Sequence, residues 1–219
     1  MMTDLAVILL AAGESRRMGS TNKLLLEFDG EALLRRSARM LAALPGADVT
    51  VVLGHAADQA AAVISDLDVA ITINPAFADG QRGSVFHGLS HAGQASAYLV
   101  TPADMPRLDG ADCKALLRAH ANAPQGSITV PMRHDDCGVT RGNPVVLTPD
   151  ARDRVISGGI NLGCRGLLDS QPERINMFAA TSHGFFTDID TPEAYRAEIG
   201  ALAALSGHSI PKERTHGIN

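Results

Sequence analysis

The sequence predicts an α/β fold of three layers, with a mostly parallel sheet covered by helices on both faces. Three observations predict it. The run from Leu5 to Ala12 is apolar throughout, as a strand buried on both faces of a parallel sheet is. Short apolar runs then alternate with amphipathic runs of helical length, the pattern of right-handed βαβ units. A glycine-bearing loop, Gly13 to about Asn22, opens at the carboxyl end of the first strand, where open α/β sheets bind ligands.

The elements follow in order. Glu31 to Leu44 reads as an amphipathic helix. Leu33, Leu34, Ala38, Leu41 and Leu44 lie on one side, and Arg35, Arg36 and Arg39 form a solvated face on the other. Pro45-Gly46 stops it. Val49 to Leu53 is a strand, Ala57 to Ile64 a helix and Val69 to Ile73 a strand. Ser84 to His91 is a helix, Ala97 to Val100 a strand and Gly110 to Asn122 a helix. Ser127 to Pro131 and Pro144 to Leu147 are further strands. Between them, His134 to Gly142 is polar and reads as a substrate loop. Phe185 to Ile189 is a last short strand, and Thr191-Pro192-Glu193 opens a final helix with Pro in its first turn. Residues 1–205 are expected to form one domain, and the polar stretch from Ser206 to Asn219 a frayed tail.

The 219 residues fit one large domain. At 45% apolar and only 4% aromatic, with no Trp, its core must be aliphatic. A net charge of −5 argues against a general nucleic-acid or anionic-membrane binder, which needs a basic surface. Cys113, Cys137 and Cys164 are scattered, without C-x-x-C spacing, so they suggest neither zinc nor a disulfide framework and suit a reducing cytosol. The first apolar run is too short to span a bilayer, and no Lys or Arg precedes it as in a signal peptide. A cytoplasmic, soluble protein is expected.

The strongest local signal is Leu10-Ala11-Ala12-Gly13-Glu14-Ser15-Arg16-Arg17-Met18-Gly19, followed by Asn22-Lys23-Leu24-Leu25. Ala11, Ala12 and Gly13 lack bulk, so a base and phosphates can approach the backbone. Ser15 and successive N–H groups can cradle phosphate oxygens, and Arg17 and Lys23 can neutralise a triphosphate. It is not a P-loop: Gly13 and Gly19 stand one residue too far apart, and Ser20 rather than Lys follows. There is no G-x-G-x-x-G, which argues against an NAD-linked oxidoreductase.

This string resembles the entry motif of the molybdenum-cofactor nucleotidyltransferases, and its Ala-Ala form resembles the molybdenum cofactor cytidylyltransferases. Four more segments match in order: Asn74-Pro75 with Gly80 to Ser84 and Gly88-Leu89; Thr101-Pro102-Ala103-Asp104-Met105-Pro106; Arg141-Gly142-Asn143-Pro144-Val145; and Asp188-Ile189-Asp190-Thr191-Pro192. The resemblance spans about Leu5 to Ile199. It implies a Rossmann-like nucleotidyltransferase fold with a small antiparallel extension. It implies transfer of CMP from CTP to the phosphate of molybdopterin, with release of pyrophosphate and a requirement for Mg²⁺. A client molybdoenzyme would be a further partner; nucleic acid and membrane are not expected.

Carried over residue by residue, the resemblance implies nucleotide contacts from Leu10, Ala11, Ala12, Gly13, Ser15, Lys23, Asn74, Gly80, Ser84 and Pro102. It implies catalytic roles for Arg17, Lys23 and Asp104, and acceptor contacts from Arg141, Gly142, Asn143 and Pro144. Metal contacts fall to Asp104, Asp188 and Asp190. A lone carboxylate at a strand end suits Mg²⁺, which takes few protein ligands, although Asp104 could instead bond its own turn. Asp188 and Asp190, two apart in an extended segment, would face one side; Asp190 with Glu193 could instead cap the last helix. Three places depart from the family pattern: Gln81-Arg82-Gly83, Asn143, and Asn161 to Arg165. The last two lie on the acceptor side. They leave open a guanylyltransferase, a sugar- or alcohol-phosphate nucleotidyltransferase, or a cofactor carrier without turnover.

Overall fold

A computed structural model of the chain describes residues 5–19, 21–135, 138–157, 169 and 171–206. The first strand, β1 (Leu5–Ala11), is buried along its whole length. Successive side chains leave a strand on opposite faces. Leu5, Val7, Leu9 and Ala11 accordingly enter one apolar core, and Ala6, Ile8 and Leu10 enter another. Two cores on one sheet mean three layers.

Helices α1 (Leu33–Ala42), α2 (Ala57–Ala62) and α4 (Gly110–Ala121) cover the first face. On α1 the buried residues Leu34, Ala38 and Leu41 recur at helical spacing. Its arginines pair outward, Arg35 with Asp66 and Arg39 with Glu31, as a solvated face should. Helices α3 (Gln81–His91) and α5 (Pro149–Ile156) cover the second face. Cys113 packs on α4, and burial pushes its thiol up to about 12, so it is an inert core residue.

The remaining elements are β2 (Glu27–Phe28) and β3 (Glu31–Ala32), a small hairpin, followed by β4 (Ala47–Leu53), β5 (Ala70–Ile73), β6 (Ala97–Pro102), β7 (Ile128–Asp135), β8 (Gly138–Arg141), β9 (Val145–Leu147) and β10 (Ile175–Ala179). The main sheet runs β10-β7-β9-β6-β1-β4-β5, with β8 added on β7. Strand β1 pairs parallel with both β4 and β6, and β4 pairs parallel with β5. Strand β9 runs antiparallel between β6 and β7, and β8 runs antiparallel to β7. The fold is therefore a three-layer, Rossmann-like α/β fold, mostly parallel, with an antiparallel extension. The chain passes from β1 to β4 and β5 on one side and returns to β6 on the other. That makes the β1–β6 boundary a topological switch point, the ligand crevice of such sheets.

Two readings of the sequence need correction, and two elements went unread. Phe185 to Ile189 forms no strand: a 3-10 turn covers His183–Phe185, and Phe185 and Ile189 are buried as single anchors. The stretch His134 to Gly142 is no open loop, since its ends form β7 and β8. Strand β10 is an edge strand with a half-exposed pattern, which blurred its period. Helix α5 announces itself by Thr148-Pro149, and Thr148 Oγ1 accepts from Ala151 N at 3.3 Å, an N-cap with Pro at N1. Cys137, Cys164, Asn161 to Arg165 and the tail after Ser206 lie outside the described residues.

Gly88 lets α3 approach the sheet. A Cβ there would stand 2.5 Å from Ile8 Cγ2 and 2.7 Å from Val52 Cγ2. Gly88→Val is expected to cost about 1–3 kcal/mol by overpacking. A melting temperature equal to that of the parent chain would show that α3 can move away freely.

Candidate active site

The loop after β1 is shaped by its own backbone. Ser15 sits at φ 53°, ψ 32°, in the left-handed region, and Gly19 has φ 68°. Met18 N donates to Ser15 O at 2.7 Å, closing the turn Arg16–Met18 over the buried Met18 side chain. Lys23 N then donates to Ser15 Oγ at 3.3 Å. Asn22 Oδ1 accepts from Leu24 N at 3.0 Å and caps the turn Lys23–Leu25. With Leu24 buried, the Lys23 side chain is turned inward.

Strand β6 supplies the opposite wall. Ala103 N donates to Leu10 O at 3.0 Å, which holds Asp104 beside the end of β1. Ile189 N donates to Asp104 O at 2.9 Å, and this single bond brings Asp188 and Asp190 to the same place from far along the chain. Thr191 Oγ1 accepts from Ala194 N at 3.2 Å and caps the last helix, α6 (Pro192–Ser206). Asp190 is therefore free of capping duty.

These walls enclose a cleft of about 510 Å³. Leu10, Ala11, Ala12, Gly13, Ser15, Arg17, Lys23, Gly80, Ser84, Pro102, Asp104, Asn143, Asp188 and Asp190 all line it. Lys23 lies at its centre. Its Nζ donates to Asp104 Oδ2 at 2.5 Å and to Asp190 Oδ1 at 2.9 Å. Arg17 Nη2 meets the other oxygen, Asp190 Oδ2, at 2.7 Å. Burial pulls the Lys23 pKa down, but the charge and hydrogen bond of Asp104, then those of Asp190, more than reverse this, and the net shift is upward. Lys23 stays an ammonium across the physiological range. Asp190 is pushed up by burial and pulled down further by Lys23 and Arg17, ending below its ordinary value.

The other predicted residues lie elsewhere. Asn74 is buried behind the cleft: its Nδ2 donates to Ser84 Oγ at 3.1 Å, and its Oδ1 accepts from Ala76 N at 3.0 Å. It shapes the α3 start and does not line the cleft. Arg141 projects from β8 into a separate groove and pairs with Asp169 at 2.5 Å. Gly142 is a contact point, since a Cβ there would stand 2.4 Å from Phe185 O. Pro144 follows a cis peptide bond and leads into β9 without lining the cleft. Of the predicted acceptor segment, only Asn143 reaches it.

Sequence reasoning passed over Glu14, Arg16, Leu24, Phe77 and Ala78 as lining residues. Phe77 had a signal in its pairing with Gly54. A Cβ on Gly54 would lie 2.5 Å from Phe77 Cβ, so the glycine at the end of β4 seats the ring at the cleft wall.

A divalent cation fits the acidic wall. Asp104 Oδ1 is buried and has no hydrogen-bond partner, an oxygen whose desolvation is otherwise uncompensated. Among the described residues no three His, Cys, Asp or Glu side chains are gathered closely enough to hold a metal unaided. Magnesium sites of this kind take one or two carboxylates and complete their shell with phosphates and water.

The Asp188 pKa is raised from its ordinary value, first by burial, then by the charges of Asp190 and Asp104. An acid raised in the folded state binds its proton more readily there than in the unfolded chain. Its ionisation therefore weakens folding as pH climbs from the unfolded value near 3.8 through the folded pKa, and this penalty is constant above that range and vanishes below it. Asp188→Asn should raise the melting temperature of metal-free protein at pH 7, and the gain should fade toward pH 4. A gain that grows on acidification would refute this account.

Family and fold support a nucleotidyltransferase, an enzyme of the transferase class. The chain belongs to the MobA-like NTP transferase domain family, which matches residues 7–175. It is 26% identical over 189 residues to nicotine blue oxidoreductase of Paenarthrobacter nicotinovorans, covering 85% of this chain and 92% of that one. It is 35% identical over 135 residues to bifunctional protein GlmU of Mycobacterium leprae, covering 58% of this chain but 27% of GlmU. Among solved structures, the Rv0371c homologue from Mycobacterium sp. strain JC1 superposes with a TM-score of 0.78 at 21% identity, covering 94% of this chain and 100% of that one. Rv0371c of Mycobacterium tuberculosis in complex with manganese gives 0.68 at 18%, covering 90% and 99%. CMP:2-keto-3-deoxy-manno-octonic acid synthetase in complex with CTP gives 0.76 at 11%, covering 92% and 99%. No described helix is long and apolar enough to cross a membrane.

Proposed function

We propose that the chain transfers CMP from CTP to the terminal phosphate of molybdopterin or the molybdenum cofactor and releases pyrophosphate. The observation that carries this reading is Lys23, fixed between Asp104 and Asp190 in the cleft that Ala11, Ala12 and Gly13 also line. A cation of that kind, beside carboxylates and a wall without side-chain bulk, matches a nucleoside triphosphate with its counter-ion. A phosphate oxygen of the acceptor attacks the α-phosphorus. The bond from that phosphorus to the oxygen bridging to the β-phosphate breaks, and the electron pair leaves with pyrophosphate. The acceptor is already an anion, so positioning and charge neutralisation supply most of the catalysis. Lys23 and Arg17 stabilise charge on the leaving pyrophosphate. Asp104, with Asp188 or Asp190, would hold Mg²⁺, whose chemistry is to draw charge from phosphate oxygens.

Asn143 marks the acceptor side. It stands where the resembled family often has His, and this departure favours a sugar- or alcohol-phosphate acceptor as the second reading. The deciding experiment is pyrophosphate release by purified protein with Mg²⁺ and molybdopterin, comparing CTP, GTP, ATP and UTP. Release with CTP alone supports the first reading. Release with GTP assigns guanylyl transfer. Release with CTP only when a sugar phosphate replaces molybdopterin assigns the second reading, and silence with all four nucleotides overturns molybdopterin as acceptor.

A further inference from the structure

Two of the three carboxylates that suit a metal, Asp104 and Asp190, are already engaged by cationic side chains. Lys23 Nζ contacts Asp104 at 2.5 Å and Asp190 at 2.9 Å, and Arg17 takes the remaining oxygen of Asp190 at 2.7 Å. The Lys23 and Asp104 side chains are only 14% and 15% exposed, so water screens this pair little. Asp104 Oδ1, the other oxygen of that carboxylate, is buried without a hydrogen-bond partner among the described residues. A divalent cation bound here would share Asp104 with an ammonium already in contact with it, and two cations that close repel strongly where water is scarce. The same Lys23 and Arg17 line the cleft that the triphosphate would fill, and phosphate oxygens are the stronger attraction for both.

We infer that Lys23 is a placeholder for the metal. Its ammonium holds the carboxylates of Asp104 and Asp190 together while the cleft is empty. It moves to the phosphates when a nucleotide enters and releases those carboxylates to the cation. Metal and nucleotide therefore bind with positive coupling, and the free chain resists loading with metal alone. A side chain that serves two anionic partners in turn couples their binding without any domain motion. This rests on the nucleotidyltransferase reading for the second partner, the triphosphate, but the lysine–carboxylate contacts stand independently of it.

The test uses Mn²⁺ alone as probe, its binding to the full chain read by electron paramagnetic resonance without nucleotide. Lys23→Ala is expected to bind Mn²⁺ on the order of tenfold more tightly than the parent, because the competing charge is gone. Arg16→Ala is the control. It removes one equal charge from the cleft rim, where Arg16 pairs with Glu14 at 2.6 Å and not with the three aspartates. Equal gains in the two variants would overturn the proposal, reducing it to a general charge effect. If Lys23→Ala does not fold, the parent chain answers instead: the Nζ resonance of Lys23 should shift when CTP is added in the presence of EDTA. A resonance that stays put while CTP binds elsewhere on the chain overturns the placeholder. The two readings fail separately. Tighter Mn²⁺ binding in Lys23→Ala, with no pyrophosphate release by the parent chain from any nucleotide and molybdopterin, would keep the placeholder and remove the proposed acceptor, and release by the parent without that gain would do the reverse.

Discussion

Lys23→Ala is expected to lower the rate of pyrophosphate release by about 10²–10³, the usual cost of removing one preorganised electrostatic stabiliser. The size of the effect follows from position. Lys23 is among the most enclosed charged groups in the cleft, with its Nζ fixed by two carboxylates and its backbone tied to Ser15. Once it has moved to the bound triphosphate, its charge is already beside the phosphates when negative charge builds on the leaving group. Lys23→Arg should not restore the rate. The guanidinium is planar and larger, and the slot between Asp104 and Asp190 admits a compact ammonium. The loss should appear in kcat more than in KM, because the interaction strengthens as the bond to pyrophosphate breaks. If CTP affinity collapses while kcat is kept, Lys23 binds ground state and transition state alike, and its catalytic role is refuted. The placeholder adds a contrast to the same variant: its rate falls although its carboxylates take metal more readily.

Asp104→Asn is the second large effect, again about 10²–10³ in the Mg²⁺-dependent rate. Asparagine keeps the shape of the side chain and can still accept from Lys23, so the substitution tests charge without emptying the site. Two observations give Asp104 this weight. Its Oδ1 is buried without a partner. Its backbone is locked by Ala103 N to Leu10 O on one side and by Ile189 N to its own carbonyl on the other. The carboxylate therefore cannot swing out to water. Activity should recover little with excess Mg²⁺, because the missing charge also leaves Lys23 with one anionic partner. Full activity of Asp104→Asn at ordinary Mg²⁺ would show that the metal is held elsewhere.

The half of the site on the first strand was legible in the sequence because it is local. Leu10 to Lys23 are contiguous, and the shape of their loop depends on small residues, one left-handed serine and one glycine. Asp104 was legible for a similar reason, since a carboxylate two residues past a buried strand has few places to go. Asn74 misled because a short polar residue after a strand looks the same whether it faces a ligand or braces a helix. Only its bond to Ser84 Oγ decides between them. Arg141 misled because the direction of a side chain in an antiparallel extension depends on its register, Met132 opposite Arg141, which no local pattern encodes. Phe185 to Ile189 misled because aromatic and β-branched residues favour strands only where a neighbour offers a free edge. Here the segment is anchored by Phe185 and Ile189 in the core instead.

By itself the sequence determined the layered fold, the glycine-bearing loop after the first strand and the residue types of the cleft. Hydrophobic period and turn chemistry act over a few residues and need no knowledge of distant partners. Tertiary structure alone decided that Asp190 meets Lys23 across a separation of 167 positions, that Thr191 rather than Asp190 caps the last helix, and that Arg141 turns away to Asp169. Each is a choice among competing partners for a charge or a hydrogen bond. Such choices are settled by which groups burial brings within about 3 Å of one another, a distance that sequence separation does not measure.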